Sequence, residues 1–126
     1  APRLTKLCGT ALDFIQLHLH EKLTLQGIAT HCGVSGQHLN LAFHQVLNTT
    51  VMRYLTRQRL ETAKRMMRTE PWLSLKEIAA RSGFANAASF NNAFVREMRY
   101  SPGEYRRRLA RSDMLGVEPR VSKRST

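Results

Sequence analysis

The chain has 126 residues and is strongly basic, with 20 Lys and Arg against 9 Asp and Glu and a formal net charge of +11. No apolar run approaches the roughly 18 residues of a membrane helix. Two cysteines are too few for a disulfide scaffold, although a single Cys8–Cys32 bridge stays open. The excess of positive charge favours a polyanionic partner, which leaves DNA, RNA or an anionic membrane surface.

The first half of the chain has the periodicity of helices, and no segment of the whole chain alternates as a strand would. Thr24, Ser35 and Thr50 are suited to be helix N-caps. Asn48 can end a helix in the left-handed conformation, and Pro71 prevents a helix from continuing past it. The predicted helices in this half cover residues 5–20, 24–33, 35–47 and 50–69.

The second half predicts three more helices, over residues 74–83, 86–99 and 101–106. Ser74 and Glu77 have the spacing of a capping box, and Asn86 is a good N-cap for the helix that follows. Ser101-Pro102 is a typical helix start. Residues 112–126 are polar and basic without periodicity, so we expect a basic disordered tail there.

An internal repeat relates the two halves. The matches have an offset of 50 residues before a turn and 51 after it, so one extra residue in the second turn accounts for the change. The pairs are Thr24/Ser74, Leu25/Leu75, Ile28/Ile78, Ala29/Ala79, Gly33/Gly83, Ser35/Asn86, Leu39/Phe90, Ala42/Ala93, Phe43/Phe94, Thr50/Ser101 and Tyr54/Tyr105.

Each repeat contains the residues that a helix-turn-helix unit physically requires. Ala29 or Ala79 allows two short helices to cross closely, and Gly33 or Gly83 supplies a residue that tolerates positive φ in the turn. The alternative is a helical hairpin that belongs to a bundle and binds nothing. Two units together with the charge favour DNA binding.

The sequence resembles the DNA-binding domain of the AraC/XylS-type transcription regulators, from about residue 5 to residue 111. The stretches that carry the resemblance are LQGIATHCGVSGQHLNLAFHQVL, YLTRQRLETAKRMM, LKEIAARSGF, FNNAF and SPGEYR. The resemblance implies an all-α fold of about seven helices, with two tandem helix-turn-helix subdomains joined by a long central helix. It also implies binding to double-stranded promoter DNA, and a separate sensing or dimerisation domain that this chain lacks.

We accordingly expect a first subdomain at 1–50, a linking helix at 51–70, a second subdomain at 71–111 and the tail at 112–126. The two recognition helices, about 35–47 and 86–98, would enter successive major-groove segments. A central helix of about 19 residues spans roughly 28 Å, near the ~34 Å between such segments. Two departures from the family pattern stand out: Arg99 where Gly is usual, and Leu41 where related proteins often carry a polar or basic residue.

The N-terminal residues of a recognition helix face the base edges. Their chemistry here suits A·T pairs, because Gln and Asn pair with adenine, and Leu or Ala contacts the thymine methyl, whereas guanine is usually contacted by Arg or Lys. The predicted base-contacting residues are Gly36, Gln37, Asn40, Leu41 and His44 in the first unit and Ala87, Ala88, Asn91 and Asn92 in the second.

Affinity is expected to come from phosphate contacts made by helix N-termini and by basic side chains. For the arginines, the alternative is a merely solvated face. The predicted phosphate-binding residues are Thr24, Ser35, His38, Ser74, Asn86, Arg96, Arg99, Ser101, Arg106 and Arg107.

Other chemistries find little support in the sequence. The His and Cys residues lack the spacing of a metal site, and no phosphate loop, nucleophile elbow or pair of carboxylates predicts an enzyme. We therefore expect no metal, no cofactor, no catalysis and no membrane partner. The main competing hypothesis is a helical module that binds an RNA polymerase subunit or another acidic protein, and an activator would need both surfaces. We expect a cytoplasmic, nucleoid-associated protein that forms dimers, if at all, through another domain.

Overall fold

The computed structural model describes residues 2–115, and this range contains seven helices, joined by turns and short loops, and no strand. The predicted all-α class is therefore confirmed. The helices are α1 (Pro2–Leu17), α2 (Leu25–His31), α3 (Gly36–Leu47), α4 (Val51–Thr69), α5 (Leu75–Arg81), α6 (Ala87–Met98) and α7 (Pro102–Leu115).

The last helix is longer than the sequence suggested. We expected it to end at residue 106 and disorder to begin at 112, but α7 continues to Leu115. That expectation is wrong for residues 112–115, since the charged segment is held as helix by a buried Leu109 and by pairs from Glu104 to Arg108 and Arg111. The rest of the predicted tail, residues 116–126, lies outside the described residues.

The chain forms two compact units, the first ending at Gln58 and the second beginning at Arg59. The division falls inside α4, whereas we expected residues 51–70 to be a separate linking segment. Val51 and Leu55 of α4 belong to the first core, and Leu60 and Ala63 to the second. Each helix-turn-helix unit therefore uses part of α4 as its own core helix.

The first unit packs α1, α2, α3 and the start of α4 around a mainly aliphatic core. Ile15 of α1, Ile28 of α2 and Phe43 of α3 are fully buried in it. Burying a side chain of this size stabilises a fold by about 1.5–3 kcal/mol. This core fixes which face of α3 is left for a partner.

The second unit has a more aromatic core, built from α5, α6, α7 and the end of α4. The rings of Phe90 and Phe94 lie 5.8 Å apart between centroids, and those of Phe94 and Tyr105 lie 5.5 Å apart, both edge to face. Tyr105 is 1% exposed. It comes from the Ser-Pro-x-x-Tyr-Arg stretch, which thereby anchors α7 against α6.

No helix among the described residues is both long enough and apolar enough to cross a bilayer.

Candidate nucleic-acid interface

The turn of the first helix-turn-helix unit has the geometry that its sequence predicts. Gly33 has φ +75°, and the N–H of Val34 donates to the carbonyl of Ala29 at 3.1 Å. Ser35 then caps α3, its Oγ accepting the backbone N–H of His38 at 3.0 Å. The N-terminus of α3 is thus held at a fixed angle to α2.

The outer face of α3 is exposed and chemically mixed. Leu41 is 52% exposed, and Gln37 and His44 are exposed beside it, while Leu39 and Phe43 are buried on the opposite face. A concavity of about 600 Å³ opens along this outer face. Its lining residues are Ser35, Gln37, His38, Asn40, Leu41, His44 and Thr50.

The prediction that Gly36 contacts bases is wrong. Gly36 is buried under Leu25 of α2, and a Cβ added to it would lie 3.1 Å from Cγ and Cδ2 of that leucine. A helical wheel of α3 alone places this glycine on the exposed face. Its role is to let α2 and α3 pack closely.

Asn40 also differs from the outward orientation that we predicted. Its side chain is half-buried, and its Oδ1 accepts the backbone N–H of Val51 at 2.9 Å. This bond satisfies one of the free N–H groups in the first turn of α4. Asn40 therefore connects the recognition helix to the start of the next helix.

The second unit repeats the turn geometry with a different exposed face. Gly83 has φ +100°, and Asn86 caps α6, its Oδ1 accepting the N–H of Ser89 at 2.8 Å. The base-contacting residues that we predicted on α6 are all exposed: Ala87, Ala88, Asn91 and Asn92. Val95 is 40% exposed on the same helix.

The five polar residues predicted to bring helix N-termini to phosphates are all N-caps. In each, the side-chain oxygen accepts the backbone N–H three residues ahead at 2.8–3.1 Å, and Ser74 adds a full capping box with Glu77. The caps are Thr24, Ser35, Ser74, Asn86 and Ser101. Their contact with phosphate stays a prediction.

The arginines predicted to bind phosphate fall into two groups. Arg96 and Arg99 are exposed. Arg106 is half-buried, and its Nη2 donates to the carbonyl of Leu73 at 2.7 Å, so its guanidinium holds a loop, and its contact with phosphate stays a prediction. Arg107 is exposed but pairs with Glu104 at 2.8 Å.

Glu104 gathers the basic side chains of α7. Hydrogen bonds from Arg107 and Arg108 lower the pKa of its carboxyl group. The guanidinium of Arg108 also lies 4.0 Å from the ring centroid of Tyr100, in a cation–π contact. Part of the positive charge of α7 is therefore already compensated within the protein.

The cysteines and histidines form no evident reactive or metal site. Cys8 and Cys32 are both free thiols, and burial raises the pKa of each, which disfavours the reactive thiolate form. Within residues 2–115, no three His, Cys, Asp or Glu side chains lie close enough together to hold a metal ion.

Comparison with known proteins decides the family. A family model described as "Helix-turn-helix domain" matches residues 28–108, which spans both units. The chain belongs to the AraC-type helix-turn-helix family. Proteins of this family are DNA-binding transcription regulators and not enzymes.

Two curated relatives are regulators of greater length. An uncharacterized HTH-type transcriptional regulator of Staphylococcus aureus (strain MSSA476) is 34% identical over 94 residues, covering 75% of this chain and 12% of that protein. A probable thc operon regulatory protein of Rhodococcus erythropolis is 31% identical over 105 residues, covering 82% of this chain and 32% of that protein. The chain thus spans a third or less of either relative.

Two solved structures share the fold. The C-terminal domain of AraT, a response regulator from Geobacillus stearothermophilus, has a TM-score of 0.77 at 30% identity and covers 98% of this chain and 94% of its own. The DNA-binding domain of AdpA, a global transcriptional factor solved in complex with a target DNA, has a TM-score of 0.75 at 25% identity. That match covers 86% of this chain and 94% of the AdpA chain.

Sequence reasoning overlooked one residue of this AraC-type surface. Thr50 lines the concavity beside α3 and caps α4, its Oγ1 accepting the N–H of Arg53 at 3.2 Å. The internal repeat indicates this residue, because the 51-residue offset pairs Thr50 with Ser101, which is among the predicted phosphate-binding residues.

Proposed function

We propose that this chain is the sequence-specific DNA-binding part of a transcription activator. Each unit would place its recognition helix, α3 or α6, in a major-groove segment of promoter DNA, with the N-terminal residues against the base edges. In a bacterial cell such a protein would act in the cytoplasm, at the nucleoid. The chain lies in an AraC-type family, and its net charge of +11 suits a polyanion.

The observation that carries the proposal is the exposed face of α3. Gln37 and Leu41 project beside each other from the first half of the helix, above a buried face that fixes their direction. An amide and an aliphatic side chain at adjacent positions suit adenine and the thymine methyl group. The AdpA domain, which has the same fold, was solved on its target DNA.

An additional protein contact is favoured by one feature of the second unit. Trp72 is 74% exposed in the loop between α4 and α5. Exposed aromatic side chains held on a rigid frame are typical anchors of protein interfaces. An activator that recruits RNA polymerase needs such a contact, so we propose the loop around Trp72 as its site. Effector sensing and dimerisation would be carried by other parts of the regulator.

A gel-shift assay with promoter fragments tests the DNA proposal. The wild-type chain should retard particular fragments in the presence of excess competitor DNA, and the affinity should fall steeply with salt. The double variant Gln37→Ala, Leu41→Ala should weaken this preference and keep nonspecific affinity. Gln45→Ala, in the last turn of the same helix, is the matched control and should keep the preference.

The competing hypothesis of a module that binds only protein makes the opposite forecast. Such a module would show no preference for any fragment over competitor DNA, and its weak binding would be the same in all three proteins. The variant Trp72→Ala separates the second contact: it should leave the gel shift unchanged and lower activation in a reporter strain.

A further inference from the structure

The two recognition helices carry an asparagine at equivalent positions of the repeat. The offset of 51 residues relates Asn40 of α3 to Asn91 of α6. The same offset relates Val51, the first residue of α4, to Pro102, the first residue of α7. Each recognition helix therefore has an asparagine at the equivalent position of the repeat. The first residue of the helix that follows differs between the two units, valine in the first and proline in the second.

In the first unit this asparagine is engaged. The Oδ1 of Asn40 accepts the N–H of Val51 at 2.9 Å, and the side chain is half-buried. A bidentate contact with adenine requires the amide oxygen to accept from N6 and the amide nitrogen to donate to N7. In Asn40 one lone pair of that oxygen already accepts from α4, and the half-buried side chain exposes less of its amide to a base than Asn91 does.

In the second unit the corresponding bond has no donor. Pro102 has no backbone N–H, and the first turn of α7 is capped by Ser101, whose Oγ accepts the N–H of Glu104 at 3.1 Å, as Thr50 caps α4 in the first unit. Asn91 is exposed, and within residues 2–115 no hydrogen bond holds its amide. Both of its polar atoms are available to a ligand.

We infer that Asn91 determines base specificity, by a bidentate contact with adenine, whereas Asn40 is a positioning residue that fixes α3 against α4. This inference rests on the proposed DNA-binding function. It narrows the set of base-contacting residues predicted from the sequence, which included both Asn40 and Asn91. Specificity in the first unit then rests on Gln37 and Leu41, without Asn40.

Selection of binding sites from random DNA with a charge-matched pair of variants tests the inference. Asn91→Asp retains an acceptor but loses the donor to adenine N7, so one position should lose its adenine preference by roughly five- to hundred-fold and shift toward cytosine. Asn40→Asp keeps the acceptor for Val51 and should keep every base preference. Its added negative charge should weaken binding to all sequences alike.

Thermal unfolding separates the positioning role from base contact. Asn40→Ala should lower the midpoint temperature of unfolding. Asn40→Asp and Asn91→Ala should both unfold at the midpoint temperature of the wild type. A loss of base preference in Asn40→Asp, or its retention in Asn91→Asp, would overturn the inference while leaving the proposed function intact. A wild-type chain that enriches no sequence at all would overturn both.

Discussion

The guanidinium of Arg106 donates to the backbone carbonyl of Leu73, with 2.7 Å between Nη2 and the oxygen. The acceptor lies in the loop between α4 and α5, which is also closed by the N–H of Leu73 donating to the carbonyl of Glu70 at 3.0 Å. Arg106 thereby joins α7 to the loop that precedes the second helix-turn-helix. The charged guanidinium of Arg106 therefore stabilises the fold of the second unit.

We expect Arg106→Ala to lower the free energy of unfolding by about 1.5–3 kcal/mol, the usual contribution of a hydrogen bond to a charged group. Arg107→Ala is the matched control in the same helix, and its exposed pair with Glu104 should contribute at most about 1 kcal/mol. Urea denaturation measures both values. Equal losses in the two variants would contradict the structural role of Arg106.

Arg99 should be a strained residue. It ends α6 at φ +70°, in the left-handed region, where a side chain with a Cβ is disfavoured. We expect Arg99→Gly to raise the free energy of unfolding by about 0.5–1 kcal/mol, and Arg99→Lys, which keeps the strain, to leave it unchanged. Asn48→Gly, at φ 55° in the first unit, should gain less because Asn tolerates this conformation. Thermal unfolding would refute the explanation if Arg99→Lys gained as much as Arg99→Gly.

Acid should destabilise the protein partly through Glu77. The hydrogen bond from the Ser74 backbone N–H, and then that from its side chain, lower the pKa of Glu77 below its ordinary value of 4.5. A carboxyl whose pKa is lower in the folded state stabilises the fold above the unfolded-state pKa, and this stabilisation is lost as the pH falls through the folded-state pKa. The effect should therefore appear as the pH drops below about 4.5.

Chemical denaturation at pH values from roughly 6 down to 3 measures this dependence. Glu77→Gln should unfold with a shallower loss of stability on acidification than the wild type. Glu104→Gln should act in the same direction, because hydrogen bonds from Arg107 and Arg108 lower the pKa of Glu104 as well. If both variants kept the wild-type acid slope, these carboxyl groups would not be its source.

The preferred DNA site should be mostly A·T at the contacted positions. Among the exposed residues in the N-terminal halves of α3 and α6 are Gln37, Leu41, Asn91 and Asn92, with no Arg or Lys. Each good amide–adenine pair contributes about 1–3 kcal/mol of discrimination. Enrichment of sites from random DNA checks the composition, and half-sites dominated by guanine would refute the prediction.

The helices and their caps were predictable because the determinants are local. Ser35 and Asn86 cap the helices that follow them, and Gly33 and Gly83 take positive φ, as their residue types indicate. The length of α7 was not predictable from apolar periodicity, because the charged pairs around Glu104 extend it.

The errors in the candidate site have a different cause. The burial of Gly36 depends on Leu25 of another helix, and Asn40 bonds to a residue 11 positions ahead. A helical wheel contains only the helix itself, so neither contact could be read from it. The hydrogen bond of Arg106 was not predictable for the same reason, since its acceptor lies 33 residues earlier.

The proline at the start of α7 is a difference between the two repeat units that affects the neighbouring recognition helix. Pro102 occupies the first helical position, where proline is well tolerated because that N–H has no partner inside the helix. A change between valine and proline at this single position thus carries little penalty for the helix. It nevertheless decides whether an asparagine on the neighbouring recognition helix is retained as a cap or released. One substitution outside the proposed DNA-contacting surface would then free an asparagine of that surface in one unit, while the other unit keeps its asparagine as a structural contact.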